Sequence, residues 1–177
     1  IIKDGELRPY QETDPVDPKT VYGESKAAGE KAVAETTPKH FIVRTAWLYG
    51  DGNNFVKTML ELAAKHPQLT VVNDQVGSPT STVDLAAAII DLIETDHYGI
   101  YHGTCEGQCS WYDFALEIFR LSGIDIPVAA VTSEQFVRPA PRPKYSVLEN
   151  KALNDLKMNN FRPWQLSLAE YLENLNK

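Results

Sequence analysis

Short β-branched runs separated by helix-length segments constrain this chain more than any other feature in it. Phe41-Ile42-Val43-Arg44-Thr45, Leu69 to Val72, Gly99 to Gly103 and Val128 to Val131 all have the length and composition of strands. The stretches between them carry helical patterns long enough for a parallel crossover. One helix is predicted to start at Asp17-Pro18, a capping residue followed by a residue suited to the first turn, and to run to about Glu35. A second is predicted over Asn54 to Lys65, with Phe55, Met59, Leu62 and Ala63 near one face. A third, Val83 to Glu94, is apolar on most sides and is therefore expected to be buried. A fourth covers Ser110 to Leu121, with Trp111, Phe114, Ala115, Ile118 and Phe119 inward and Ser110 as its cap. Leu48 to Asn53 reads as a turn, the stretch after Val72 through Thr80 as a loop, and Arg138 to Tyr145 as an ordered, proline-bearing loop. Short helices are expected near Asn150–Leu156 and Leu166–Asn174. The class is α/β with a parallel sheet.

With 177 residues, 43% of them apolar, the chain can bury a real core as one domain or two small ones. Its net charge of -7 and pI of about 5.1 argue against nucleic acid or an anionic membrane as partner, since both recruit a basic stripe. An anionic small molecule needs only one or two placed arginines. No apolar run approaches the ~18 residues of a spanning helix, and the opening residues do not resemble a signal peptide. Two cysteines, Cys105 and Cys109, are too few for a disulfide framework, so a cytoplasmic setting is expected. With His102 they form His-x-x-Cys-x-x-x-Cys, which lacks a fourth zinc ligand; two ordinary buried or half-buried thiols are expected.

Tyr22-Gly23-Glu24-Ser25-Lys26 places a phenol and an ammonium at i and i+4, on one helix face. A phenol is a poor acid near neutrality, and a nearby cation lowers its pKa. Such a pair suits a reaction in which hydride reaches a carbonyl carbon and a proton must reach its oxygen. The lysine can also hydrogen-bond the ribose of a nicotinamide cofactor. Taken alone the spacing is a weak signal and more often describes a solvated surface pair. The small residues Ala27, Ala28 and Gly29 allow another helix or a sheet to approach.

Four blocks carry a family resemblance. They are Val21 to Glu30, Arg44-Thr45-Ala46-Trp47-Leu48-Tyr49-Gly50, Asp74-Gln75-Val76-Gly77-Ser78-Pro79-Thr80 and Arg142-Pro143-Lys144-Tyr145-Ser146. In content and order the chain resembles dTDP-4-dehydrorhamnose reductases, of the extended short-chain dehydrogenase/reductase superfamily. The resemblance implies the later part of a Rossmann-type doubly wound parallel sheet, residues 1–50 and 83–109, plus a small α/β substrate-binding lobe, residues 51–82 and 110–177. It implies reduction of the C4 ketone of dTDP-4-dehydro-L-rhamnose to dTDP-L-rhamnose with NADPH or NADH. Tyr22 would donate the proton, and Lys26 would lower its pKa; both would also touch the cofactor. Trp47 would lie beside the sugar, unless it is a core aromatic at a strand end. Arg142 would hold the diphosphate, for which a guanidinium fork is suited, unless it is a surface arginine; Arg138 is a weaker match.

Asn54 and Phe55 open a helix whose amides favour anions, or else they cap and pack. Gln75 to Thr80 form a substrate-side loop or merely shape a crossover. Asp84 reads as a charge at a helix N-terminus. The departures are informative too. A dinucleotide-binding half needs a glycine-rich turn after a strand, and the family places a Ser or Thr before the tyrosine; neither has a counterpart here. The resemblance therefore implies on the order of a hundred residues upstream in a full-length protein, and inactivity of this stretch alone. Magnesium and a homodimer occur in some members, though no feature of the sequence calls for either. Two alternatives stand: a non-catalytic regulatory protein like the regulatory subunit of methionine adenosyltransferase, or another sugar-nucleotide reductase or epimerase.

Overall fold

The computed structural model describes residues 8–135 and 142–175. Its first helix, α1 (Val21–Thr36), starts later than the sequence suggests. The cap is Thr20, whose hydroxyl accepts the Gly23 amide at 3.1 Å. Asp17 instead pairs with Lys19 at 2.8 Å. Pro18 stays outside the helix and packs on its first turn, where a Cβ on Gly23 would lie 3.1 Å from the proline Cβ.

The strand β1 (Phe41–Arg44) follows, and then β2 (Leu48–Tyr49), where the sequence reads as turn. Next come α2 (Phe55–Lys65) and β3 (Leu69–Val72), both as expected. The expected loop through Thr80 contains two further strands, β4 (Val76–Gly77) and β5 (Thr80–Ser81). Two residues are too few to show a period of two, which is why these strands are invisible in the sequence. The remaining elements are α3 (Thr82–Ile93), β6 (Gly99–His102), β7 (Cys109–Ser110), α4 (Trp111–Ser122), β8 (Val128–Val131), α5 (Lys151–Asp155) and α6 (Trp164–Leu175).

Three pairings are parallel: β1 with β6, β2 with β5, and β3 with β8. The fourth, β4 with β7, is antiparallel. The α/β class with parallel crossovers is thus borne out. Helix α4 supplies the centre of the core: Phe114, Ala115, Ile118 and Phe119 are buried, packed with Tyr49, Leu153, Trp164 and Leu168. Burial of each large apolar side chain contributes about 1.5–3 kcal/mol. A capping box between Ser110 and Asp113 fixes where α4 begins.

Helix α3 departs from expectation. Only Ala88 and Leu92 are buried, while Val83, Ile90 and Ile93 are 62%, 54% and 59% exposed. Apolar content shows that several faces can be covered, not that this chain covers them. Here one face meets the β1–β6 pair, where Leu85 and Val43 crowd Gly103. Among the described residues no helix is long and apolar enough to cross a membrane.

The first turn of α3 is tied to the C-terminal segment through Asp84. Its carboxylate accepts Arg162 Nε at 2.8 Å and the Cys105 thiol at 3.4 Å. Burial works to raise its pKa, but hydrogen bonds from Arg162, Ser167 and Cys105 outweigh that and hold it below the usual 3.8. A folded-state carboxyl more acidic than the unfolded one adds stability that is complete above the ordinary carboxylate range. That stability is lost as pH falls through the lower folded value. In Asp84→Asn, Tm should be lower at neutral pH and should fall less steeply below about pH 4 than in the unmodified chain. Parallel Tm-versus-pH curves would show that the pair contributes nothing.

Candidate functional site

Beyond β1 the chain passes through Thr45 and Ala46 to Trp47, whose φ of 48° lies where L side chains are disfavoured. Three contacts hold it there. Its carbonyl accepts the Thr80 amide at 3.1 Å. Its ring stacks on Trp111, centroids 3.5 Å apart and planes within 7°. Its other neighbour is Gly77, where a Cβ would lie 2.4 Å from the indole. A glycine is required at 77 by this approach and not by its backbone angles.

The stacked pair borders a cavity of about 650 Å³. Phe55, Met59 and Phe114 form much of its apolar wall, and Gln75, Ser133, Glu134 and Arg142 bring polar groups to it. A smaller space of about 360 Å³ adjoins it, sharing Trp47, Gln75, Trp111 and Arg142 and adding Ala46, Pro143 and Ser146.

Each wall is set by an identifiable contact. Phe55, the first residue of α2, lies nearly flat over Phe114 (5.4 Å, 15°) and tilted against Trp111 (4.5 Å). Gln75 is buried, and its Nε2 donates to Ser133 Oγ at 3.0 Å. Ser133 in turn donates from Oγ (2.6 Å) and its amide (2.9 Å) to Asp74 Oδ1. This relay joins the segments that follow β3 and β8. Burial works to raise the pKa of Asp74, but the two Ser133 hydrogen bonds outweigh it, so the carboxyl stays ionised below its ordinary range. Arg142 is exposed, and the residues after it are clipped to β4: Val76 donates to Lys144 O and Ser146 to Val76 O, both at 2.8 Å.

Of the residues singled out in the sequence, Trp47, Phe55, Gln75 and Arg142 come together here. Asn54 does not. It caps α2 by accepting the Lys57 amide, and its Nδ2 donates to Gly50 O and Tyr171 Oη, which leaves it outside the cavity wall. The block from Gln75 to Thr80 divides: Gln75 faces the cavity, whereas Gly77, Ser78 and Thr80 are buried scaffold. Asp84 is a first-turn charge of α3 with an arginine partner.

Tyr22 is 72% exposed on α1, and Lys26 Nζ lies 5.5 Å from the centre of its ring. Neither borders the cavity. His102 Nδ1 faces the carbonyls of Tyr10 and Glu149, whereas Cys105 faces Asp84 and Ser167. Cys109 is buried and its thiol pKa pushed up by burial. Among the described residues no group of three or more His, Cys, Asp or Glu could hold a metal ion. Arg138 lies outside the described residues. Trp111, Ser133 and Glu134 are cavity residues that the sequence did not disclose. Helical spacing places Trp111 on an inward face but cannot show that it meets Trp47, and no sequence signal marks Ser133.

The model of the RmlD substrate binding domain matches residues 2–177. The chain belongs to the RmlD substrate binding domain family. The resemblance carried by the four sequence blocks is thereby borne out. The chain is 47% identical over 167 residues to the spore coat polysaccharide biosynthesis protein SpsK of Bacillus subtilis, covering 94% of this chain and 58% of that protein. A crystal structure of a dTDP-4-dehydrorhamnose reductase from Clostridium acetobutylicum superposes with a TM-score of 0.98 at 53% identity, covering 99% of this chain and 63% of that one. The dTDP-4-dehydrorhamnose reductase of Bacillus anthracis, in complex with NADP, gives 0.93 at 40% identity over 98% and 62%. The chain thus spans about three fifths of the length of these relatives: 58%, 63% and 62%.

In this member of the RmlD substrate binding domain family the Trp47–Trp111 wall depends on Gly77. Gly77→Ala should push Trp47 out of the stack, destabilise the chain by roughly 1–3 kcal/mol and change the near-ultraviolet circular dichroism of the tryptophan pair. An unchanged tryptophan signal with unchanged Tm would show that the approach is not tight.

Proposed function

We propose that this chain supplies the substrate pocket and proton donor of an NAD(P)H-dependent reductase that converts the C4 ketone of dTDP-4-dehydro-L-rhamnose to the alcohol of dTDP-L-rhamnose. The observation that carries this reading is the pair of adjoining spaces with Arg142 on their common wall. The larger space, walled by Phe55, Phe114 and Trp111, suits a flat pyrimidine base. Arg142 offers fork-shaped donors to a diphosphate. The smaller space, beside Trp47 and Ser146, leaves room for a hexose. A nucleoside diphosphate sugar presents base, dianion and hexose in that order.

Lys26 and Tyr22 fit the ribose of a nicotinamide, because ammonium and phenol share one exposed face of α1. A bound NADPH or NADH supplies the hydride. Tyr22 Oη gives its proton to the ketone oxygen, and the Lys26 ammonium stabilises the negative charge left on the phenolate. Residues 1–50 and 83–109 are assigned to the cofactor-binding body and 51–82 and 110–177 to the substrate lobe. The β1–β6 pairing within the first and the β3–β8 pairing within the second support that division, while the β2–β5 and β4–β7 pairings tie the two parts together. Turnover is assigned to a protein of the relatives' full length.

In such a full-length protein, NAD(P)H oxidation should depend on the 4-keto sugar nucleotide, and Tyr22→Phe should lower kcat by about 100-fold or more. Calorimetry should find dTDP-sugar affinity unchanged in Tyr22→Phe and weakened about tenfold or more in Arg142→Ala. Undiminished turnover in the first variant removes the role of Tyr22; undiminished binding in the second removes the pocket assignment.

A further inference from the structure

Tyr22, Lys26 and Glu30 are spaced i, i+4 and i+8, so all three lie along one face of α1. A lysine and a carboxylate four residues later are within reach of each other. Among the described residues two such pairs close, Lys31 with Glu35 at 3.7 Å and Lys151 with Asp155 at 2.8 Å, whereas Lys57 and Glu61 in α2 stay apart. Lys26 makes no ion pair with Glu30; its ammonium lies over the ring of Tyr22, one turn in the opposite direction.

Glu30 is held from β1 instead. Arg44 donates from Nε and Nη2 to both oxygens of Glu30, at 2.8 and 2.7 Å, and the two side chains are only 11% and 16% exposed. A planar fork on a carboxylate is a stronger and more directional partner than a flexible ammonium. The Nη1 of Arg44 is buried with no hydrogen-bond partner among the described residues, and such a group costs stability.

We infer that Arg44 is a positioning residue: by occupying both oxygens of Glu30 it withholds that carboxylate from Lys26 and so keeps the ammonium at Tyr22. The catalytic meaning of this arrangement rests on the reading of Tyr22 and Lys26 given above; the arrangement itself does not. Without Arg44, Glu30 draws Lys26 Nζ along the helix by up to one turn, about 5.4 Å. The phenol then loses the charge that would stabilise its conjugate base. A merely structural role for Arg44 predicts something different, a loosened α1 that no change at Glu30 repairs.

The ring resonances of Tyr22 in the isotope-labelled chain separate these cases. Lys26→Met defines the displacement that follows loss of the ammonium. Arg44→Met should move the same resonances in the same direction, and Arg44→Met with Glu30→Gln should return them towards their starting positions. Arg44→Lys, which keeps a cation for Glu30, should leave them near those positions and decides the matter if Arg44→Met fails to fold. Unmoved resonances in Arg44→Met, no recovery in the double variant, or displacement in a folded Arg44→Lys would overturn the inference. In the full-length reductase, Arg44→Met should lower kcat several-fold with KM for the sugar nucleotide unchanged, and Glu30→Gln should restore it. A full-length protein without reductase activity would remove the functional reading and leave the resonance result standing.

Discussion

The largely buried ion pair between Arg44 and Glu30 fastens α1 to the last residue of β1, and three residues further on the same segment becomes the Trp47 wall of the cavity. The helix bearing Tyr22 and the space beside Trp47 therefore take their positions from one strand end. That end is held by a four-residue parallel register with β6, in which Arg44 lies opposite His102. Ligands of parallel α/β sheets gather beyond the carboxyl ends of the strands. Here the physical cause is visible. The strand stops at Arg44, the left-handed conformation at Trp47 turns the chain out of the sheet, and an indole is delivered where a strand residue would otherwise continue.

Such a conformation persists only where its surroundings over-determine it. Trp47 meets that condition through the Thr80 amide, the Trp111 ring and the bare backbone of Gly77. None of the three is local in sequence. Gly77 arrives through β4, Thr80 through β5 and Trp111 through α4. The cavity wall is thus a tertiary product, and its strain is distributed over three separate elements.

The elements that were legible in the sequence are those long enough to show a period. Helices α2 and α4 have apolar faces and side-chain caps, Asn54 and Ser110, which announce both faces and starts. The start of α1 is ambiguous in the sequence because Asp17 and Thr20 are both capable caps, and packing of Pro18 on Gly23 decides between them. The exposure of Val83, Ile90 and Ile93 is not legible in the sequence because composition does not record which face a chain covers. The same limit explains the site. Trp47, Phe55, Gln75 and Arg142 could be named from ordered motifs, while Asn54 could not be told from a cap by its residue type. The relay through Asp74 and Ser133 crosses 59 residues and leaves no local trace.

The least legible pairing is also the one on which the cavity's shape turns. In the two-residue antiparallel contact of β4 with β7, Gly77 lies opposite Cys109 and Val76 opposite Ser110. Gln75 precedes that contact by one residue, and Trp111 follows it by one. A single register therefore puts the glycine that admits Trp47, the tryptophan that stacks on it and the amide that faces both spaces side by side. The Ser110–Asp113 capping box then fixes the first turn of α4, so Trp111 is held at the rim and does not drift into the helix interior. A slip of one residue in this pair would exchange the faces of Gly77 and Val76. A Val76 side chain would then stand where the indole of Trp47 needs an empty surface.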